Sequence, residues 1–301
     1  MAPHTLAATF MNVGVRVYLP CMDSFLGVFF FLLGLCMGSF FNVVLYRYRS
    51  GRTLSGRSAC TSCGVVLSPV DLVPLLSFLF LAGRCRSCAS RISLQYPAVE
   101  ALTGFLYLGV YAMGMSLPET VFWLFVASFS VLILVYDVRH LLIPDGFSYP
   151  FIALGVVPLI FSFIPPALSI APLSEWLAGP LLALPLFLLW LFSRGAWFGL
   201  GDAKLMLGIG FLLGFSRGAA ALLISFWIGA AVGVALLLWS WFLAYGAPRF
   251  FGSSRLFRKS NHFTMKSELP FAPFLLVGLF AVFFLHLDLS AIILFLSHVP
   301  Y

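Results

Sequence analysis

Phe198-Gly199-Leu200-Gly201-Asp202-Ala203-Lys204-Leu205 interrupts two long apolar runs, and the meaning of that interruption decides the fold. Leu, Phe and Trp crowd both flanks, so the chain on either side suits hydrocarbon better than water. A carboxylate is costly at such a depth, which makes Asp202 a candidate functional group. Its plainer reading is an N-cap for a helix starting near Ala203. A second acid ends another apolar run, in Val135-Tyr136-Asp137-Val138-Arg139-His140-Leu141-Leu142-Ile143-Pro144-Asp145. The plainer reading of Asp137 is an interfacial acid paired with Arg139 or Arg194.

Working outward, the whole chain repeats this pattern. Of 301 residues, 62% are hydrophobic and 9% charged, and the mean hydropathy is +1.07. Those values lie outside the range of soluble domains and predict an all-α, polytopic membrane protein. Apolar length predicts about eight crossings: 24–46, 96–113, 120–136, 147–163, 176–192, 203–215, 219–245 and 271–287. The net charge of +7 does not point to nucleic acid, because the bases are confined to connections between apolar runs. Under this threading the seven arginines between Arg47 and Arg91, then Arg139, Arg194, Lys204 and the five bases from Arg249 to Lys266, fall on one side; only Arg16 and Arg217 fall on the other. That asymmetry makes the crowded side cytoplasmic and turns both termini outward. Asp137 and Asp202 then share one depth, at the cytoplasmic ends of their helices. The segment before Ser24 has neither the basic start nor the cleavage site of a signal peptide, and is expected to be an irregular leader.

Between the first and second crossings the composition changes. Cys60-Thr61-Ser62-Cys63 and Cys85-Arg86-Ser87-Cys88 are two CxxC pairs separated by 21 residues, close to the spacing of a four-thiolate zinc site. A reducing cytoplasm argues against disulfides there, so structural zinc on Cys60, Cys63, Cys85 and Cys88 is the expectation. The run from Leu72 to Ala82 is apolar but too short to cross, and should lie at the membrane interface or pack on the cysteine knuckles. Cys21 and Cys36 read as ordinary apolar residues. In the first crossing, Gly34 and Gly38 stand at helical spacing and should let a neighbouring helix come close.

Two carboxylates held together cannot both ionise cheaply. One proton is shared, so one acid can activate water while the other polarises a peptide carbonyl. Gly199 and Gly201 should supply backbone freedom around Asp202, and Pro144 should end the helix after Asp137. Asp145 competes for the role, but Pro144-Asp145-Gly146 reads better as a turn and cap. Glu100, after Tyr96-Pro97-Ala98-Val99, is a weaker candidate that a helix dipole would also favour. The five histidines show no ligand spacing.

Taken in order, Gly38-Ser39-Phe40-Phe41-Asn42-Val43-Val44-Leu45-Tyr46-Arg47, the paired CxxC loop, Tyr96-Pro97-Ala98-Val99-Glu100, the Asp137–Asp145 stretch, the Gly199–Lys204 stretch and Leu269-Pro270-Phe271-Ala272-Pro273-Phe274 resemble the bacterial type IV prepilin peptidases. The resemblance covers about residues 24–290. It implies a GxGD-type intramembrane aspartic endopeptidase with Asp137 and Asp202 catalytic. Such an enzyme cuts the leader of type IV prepilins or pseudopilins after a glycine, at the cytoplasmic face of the inner membrane. Many members then N-methylate the new terminus with S-adenosylmethionine. The residues that would hold that donor are unknown, and no glycine-rich βαβ fingerprint supplies them. The implied organisation is 1–23 an N-terminal extracytoplasmic segment, 24–46 the first crossing, 47–95 a cytoplasmic tetracysteine domain, 96–290 the peptidase core and 291–301 a tail. Partners implied are the prepilin or pseudopilin substrate and membrane lipids, with no nucleic acid and the oligomeric state open. Ala272 departs from the usual PFGPF motif.

Two other function classes compete. A transporter would place its acids at mid-bilayer in inverted repeats, and no repeat is evident. A structural membrane component would leave the acid pair unexplained.

Overall fold

The computed structural model describes residues 24–48, 53, 55–161, 173–245 and 270–297. The expected extracytoplasmic segment 1–23, Cys21, Arg49, Arg52, the basic loop from Arg249 to Glu268 and the last residues of the expected tail lie outside the described residues. The described residues are helical, with two isolated antiparallel bridges, Ala59 with Val66 and Arg84 with Arg91. In chain order the helices are α1 Ser24–Arg47, α2 Leu76–Phe80, α3 Gln95–Ala112, α4 Leu117–His140, α5 Asp145–Phe161, α6 Leu173–Ser193, α7 Leu200–Tyr245, α8 Ala272–Leu285 and α9 Leu289–Ser297, with a 3-10 turn at Pro69–Leu72.

Among the described residues, four helices are long and apolar enough to cross a membrane: Ser24–Arg47, Leu117–His140, Leu173–Ser193 and Leu200–Phe242. Two shorter apolar helices, Asp145–Ile160 and Ala272–Leu285, accompany them. Several such helices in one chain make a multi-pass membrane protein. The expected separate crossings at 203–215 and 219–245 are two helical stretches that meet at Gly214, whose φ of 75° and ψ of 179° are non-helical. The chain turns back there, since a Cβ on Gly218 would lie 3.5 Å from the Gly210 Cα. The connecting residues Phe215 to Gly218 are all compatible with helix, so only the glycine departs from helical backbone.

The chain divides into two compact units. The first holds Met1–Tyr136 and Pro144–Ala171. Its centre is the α1–α3 pair, where glycines allow backbone contact: a Cβ on Gly34 would lie 2.7 Å from the Cα of Gly104, and one on Gly38 2.7 Å from the Cα of Glu100. The small-residue spacing read from the sequence serves this approach. Asn42, 2% exposed, ties the same pair by donating from Nδ2 to the Tyr96 carbonyl at 3.2 Å. The Tyr107 and Ser128 hydroxyls, 2.7 Å apart, link α3 to α4.

The second unit holds Asp137–Ile143 and Pro172–Tyr301. Here α6 and α7 approach through Gly179 and Gly210, where a Cβ on Gly210 would come within 2.7 Å of the Gly179 Cα. α8 packs on α7 with Leu275, Leu276 and Leu279 nearly inaccessible. α9 begins at an Asp288 cap, whose Oδ1 accepts the Ala291 N–H at 2.8 Å.

Candidate functional site

Asp137 lies inside α4, not at its end. The helix continues three residues past it to His140 and stops at Leu141, whose φ of 51° is left-handed and whose N–H returns to the Asp137 carbonyl at 2.7 Å. Pro144 therefore follows a helix end already made, correcting the expectation that it ends the helix. The Asp137 side chain is 5% exposed, while the next three residues are exposed. A carboxylate near a helix end is ordinarily turned to solvent, so this inward orientation is unusual.

Asp202 stands in the first turn of α7. The helix starts at Leu200, so Asp202 is not the N-cap of a helix starting at Ala203. Instead its Oδ2 reaches back to accept the Gly199 N–H at 3.3 Å, while the Asp202 N–H donates to the Gly199 carbonyl at 3.2 Å. That reciprocal bonding is how an acid at the third helical position secures a helix start. Asp202 is 8% exposed.

Both acids belong to the second unit, and the charge of Asp137 acts on Asp202. The stretch after Asp137 packs on the glycine turn, because a Cβ on Gly201 would lie 2.8 Å from the Cβ of Ile143. Neither Gly199 nor Gly201 has positive φ. The expected backbone freedom is thus not what Gly201 supplies; it removes a side chain where Ile143 must fit. Among the described residues neither acid is in an ion pair, and the Asp137 partners considered in the sequence, Arg139 and Arg194, do not neutralise it. Oδ2 of Asp137 is buried with no hydrogen-bond partner.

A third segment enters the site. The backbone N–H of Ala272, the first residue of α8, faces the Asp137 carboxyl. Helix starts leave N–H groups without intrahelical acceptors, and these suit an anion. Ala supplies that N–H as well as Gly would, so the substitution in the motif leaves this contact intact. Next to each acid contact stands a phenylalanine: Phe198 before Gly199 and Phe271 before Ala272, with ring centroids 5.0 Å apart at 89°. Phe226 of α7 completes the group, 5.1 Å from Phe271. Sequence reading missed the Ala272 N–H and this aromatic group. The prolines flanking Ala272, which mark a helix start, were the available signal.

The other candidates sit elsewhere. Asp145 is the first residue of α5 and is exposed; Pro144, whose carbonyl accepts from the Phe147 and Ser148 N–H groups, stands at the cap position, so Asp145 is a first-turn acid and not the cap expected from the sequence. Glu100 is five residues into α3 and 7% exposed, beyond the reach of a first-turn dipole effect. It accepts the Leu75 N–H at 2.8 Å and a bond from Ser39.

The four cysteines form a separate cluster in the first unit. All four Sγ atoms lie within 4.8 Å of one another. Sulfurs 2.3 Å from a tetrahedral zinc are about 3.8 Å apart, so the set has the dimensions of a zinc site. The two knuckles match: the Gly64 N–H donates to the Cys60 carbonyl and the Ala89 N–H to the Cys85 carbonyl, each at 2.9 Å, and Gly64 and Ala89 both have left-handed φ. The N–H groups of Cys63 and Ser62 pull the Cys60 thiol down to about 6. At Cys63 the Val65 N–H pulls down too, but the neighbouring Cys60 and burial outweigh it and push the thiol up to about 11. Four thiolates this close repel, and a dication removes that repulsion. Cys60, Cys63, Cys85 and Cys88 are free thiols.

Comparison with known proteins gives two matching families. The Bacterial Peptidase A24 N-terminal domain matches residues 32–113, and the Type IV leader peptidase family matches residues 124–234. The chain is similar to the prepilin leader peptidase/N-methyltransferase of Bacillus subtilis (strain 168), 33% identical over 257 residues that make up 82% of this chain and 90% of the relative. It is similar to the protein of that name in Klebsiella pneumoniae, 34% identical over 212 residues, 66% of this chain and 90% of the relative. The Aeromonas hydrophila protein of that name is 31% identical over 240 residues, 69% of this chain and 80% of the relative. No solved structure gives a significant match.

Proposed function

This chain belongs to the type IV leader peptidase family, and from that premise we propose that it is a prepilin leader peptidase and N-methyltransferase whose peptidase centre is Asp137 with Asp202. The single observation that carries this reading is the pair of buried carboxylates, contributed by two distant segments to one unit, the charge of one acting on the other and neither, among the described residues, in an ion pair.

The proposed chemistry is hydrolysis of one amide. The ionised acid of the pair takes a proton from water, the hydroxyl adds to the carbonyl carbon, and the protonated acid donates to the carbonyl oxygen. Collapse of the tetrahedral intermediate breaks the C–N bond, and a proton passes to the leaving amine. Burial at 5% and 8% exposure keeps bulk water from screening these steps. The Ala272 N–H holds the Asp137 carboxyl in place during them. S-adenosylmethionine, when bound, would supply the methyl group for the freed amine. Cys60, Cys63, Cys85 and Cys88 would hold a zinc ion that braces the segment between α1 and α3; all-sulfur coordination suits a structural metal.

The same reading takes the prepilin or pseudopilin as substrate. It places the chain in the inner membrane with eight crossings, 47–95 and the acids on the cytoplasmic side, a peptidase core at 96–290, and the ends 1–23 and 291–301 outside. The confinement of bases to one set of connections supports that orientation.

The test is incubation of purified, reconstituted protein with a leader-bearing prepilin. Asp137→Ala and Asp202→Ala should each abolish cleavage while the protein remains folded in the membrane. Cleavage retained by either variant refutes the role of that residue. Mass measurement of the product with and without S-adenosylmethionine should show one added methyl group only with the donor.

A further inference from the structure

The segment 72–80 is apolar, too short to cross a bilayer, and turned outward. Leu72, Val73, Leu76, Leu79 and Phe80 are exposed, with Leu79 at 69% and Phe80 at 85%. Leu76, Leu79 and Phe80, spaced by 3 and 1 residues, share one face of α2, and Leu72 and Val73 are exposed on the turn that precedes it. The opposite face turns to the protein: Phe78 lies against Gly83, where a Cβ would come within 2.9 Å of its ring. An apolar stripe of this kind is costly in water and marks an interaction surface.

What covers the stripe follows from where the segment is tied. The Leu75 N–H, on a residue of left-handed φ, donates to Oε2 of Glu100 at 2.8 Å. Glu100 in turn lies beside Gly38 of α1, whose missing side chain lets the Glu100 Cα approach. Gly38 is nine residues, about 13.5 Å, short of the Arg47 end of α1. α1 has the length and hydropathy of a crossing, so a side chain at the level of Gly38 is below the membrane surface. A backbone N–H bound to it cannot be far above that surface. The stripe is therefore continuous with the lipid-facing surface of a crossing helix. Charge agrees: Arg57, Arg84, Arg86 and Arg91 of the same loop are exposed, and anionic headgroups attract such residues. The Asp71–Arg86 bridge at 2.8 Å ties the stripe to the cysteine knuckles.

We infer that segment 72–80 is an in-plane membrane anchor, with the Leu72, Val73, Leu76, Leu79 and Phe80 face inserted among lipid acyl chains and the arginines of the knuckles at headgroup level. Helices that lie in the interface bury their apolar face about 5–10 Å into the headgroup and acyl boundary. The anchor fixes the tetracysteine segment against the membrane surface. It stands independently of the catalytic role of the aspartates.

The full chain is made with a benzophenone amino acid at Phe80 and, separately, at the exposed Ser87, and reconstituted in vesicles of phosphatidylethanolamine and phosphatidylglycerol. Illumination followed by mass spectrometry should give a phospholipid adduct at position 80 in severalfold higher yield than at position 87, which lies at headgroup level. Equal lipid yields at the two positions, no lipid adduct at position 80, or capture of an added prepilin in place of lipid at position 80, overturn the inference. In the position-80 protein, Glu100→Ala should lower lipid adduct yield severalfold, and Glu100→Gln, which keeps an acceptor for the Leu75 N–H, should retain it. Equal yields in all three would overturn the tether. The adduct is read without any cleavage assay, so an inactive peptidase does not affect the result.

Discussion

Replacing Gly201 by alanine tests whether the two acids are held together by packing. A Cβ there would lie 2.8 Å from the Ile143 Cβ, 3.1 Å from Cγ1 and 3.2 Å from Cδ1. The first of these is about 0.6 Å inside the 3.4 Å of an ordinary contact. Ile143 is 7% exposed and the closest atom is its Cβ, so no rotamer change relieves the overlap. Overpacking of this kind costs about 1–3 kcal/mol. Part of the relief must be a shift of the stretch carrying Asp137 away from the turn carrying Asp202. Misplacement by 1 Å costs about a hundredfold in rate, so a shift of this size should lower kcat/KM roughly ten- to a hundredfold. Gly199→Ala is the internal control, because its Cβ would meet nothing closer than Oδ2 of Asp202 at 3.6 Å. It should keep cleavage within a few fold of wild type. Both variants are assayed on a leader-bearing prepilin in reconstituted vesicles, with resistance to protease as the measure of folding. Wild-type activity in Gly201→Ala, or a folded but inactive Gly199→Ala, would refute the packing argument.

Metal content should fall from about one zinc per chain in wild type to well below one in Cys60→Ser and Cys85→Ser; elemental analysis showing equal zinc in all three would reject the four-thiolate site. Gly38→Leu should separate α1 from α3, because even its Cβ would lie 2.7 Å from the Glu100 backbone. Loss of stability of roughly 1–3 kcal/mol or failure to accumulate is expected, read from thermal unfolding in detergent. The Asp71 carboxyl is held below its ordinary range by the Ser68 hydroxyl first, with Arg86 adding to it. Because the folded value is the lower one, its stabilisation is full above the ordinary carboxylate value near 4 and is lost as the pH falls through the folded value. Wild type should thus resist proteolysis of the knuckles better than Asp71→Asn at pH 6, and the difference should vanish in stronger acid.

Much of the candidate site was legible because its signals are local. Asp137 and Asp202 stand out as acids at the ends of apolar runs, and the cysteines by a spacing that suits one metal. The turn signal at Pro144-Asp145-Gly146 separates Asp145 from Asp137 in the sequence, and the two acids also differ in the structure. Asp145 begins a helix and is exposed, whereas Asp137 is a full turn inside α4 on its buried side. Gly199 and Gly201 were indistinguishable in the sequence, since the atom that separates them belongs to Ile143. The exact turn between 203–215 and 219–245 was less legible, because the apolar content of 200–245 is nearly uniform and the break falls at the single residue Gly214.

By itself the sequence determined that this is a multi-pass helical membrane protein with a tetracysteine insertion and two out-of-place acids. Those properties follow from hydropathy, charge and spacing, which neighbouring residues carry between them. The tertiary structure alone decided that Asp137 and Asp202 occupy one unit, that the Ala272 N–H faces the first of them, and that Ile143 needs a glycine beneath it. Each of these depends on atoms brought together from segments tens of residues apart, and no local pattern encodes such distances.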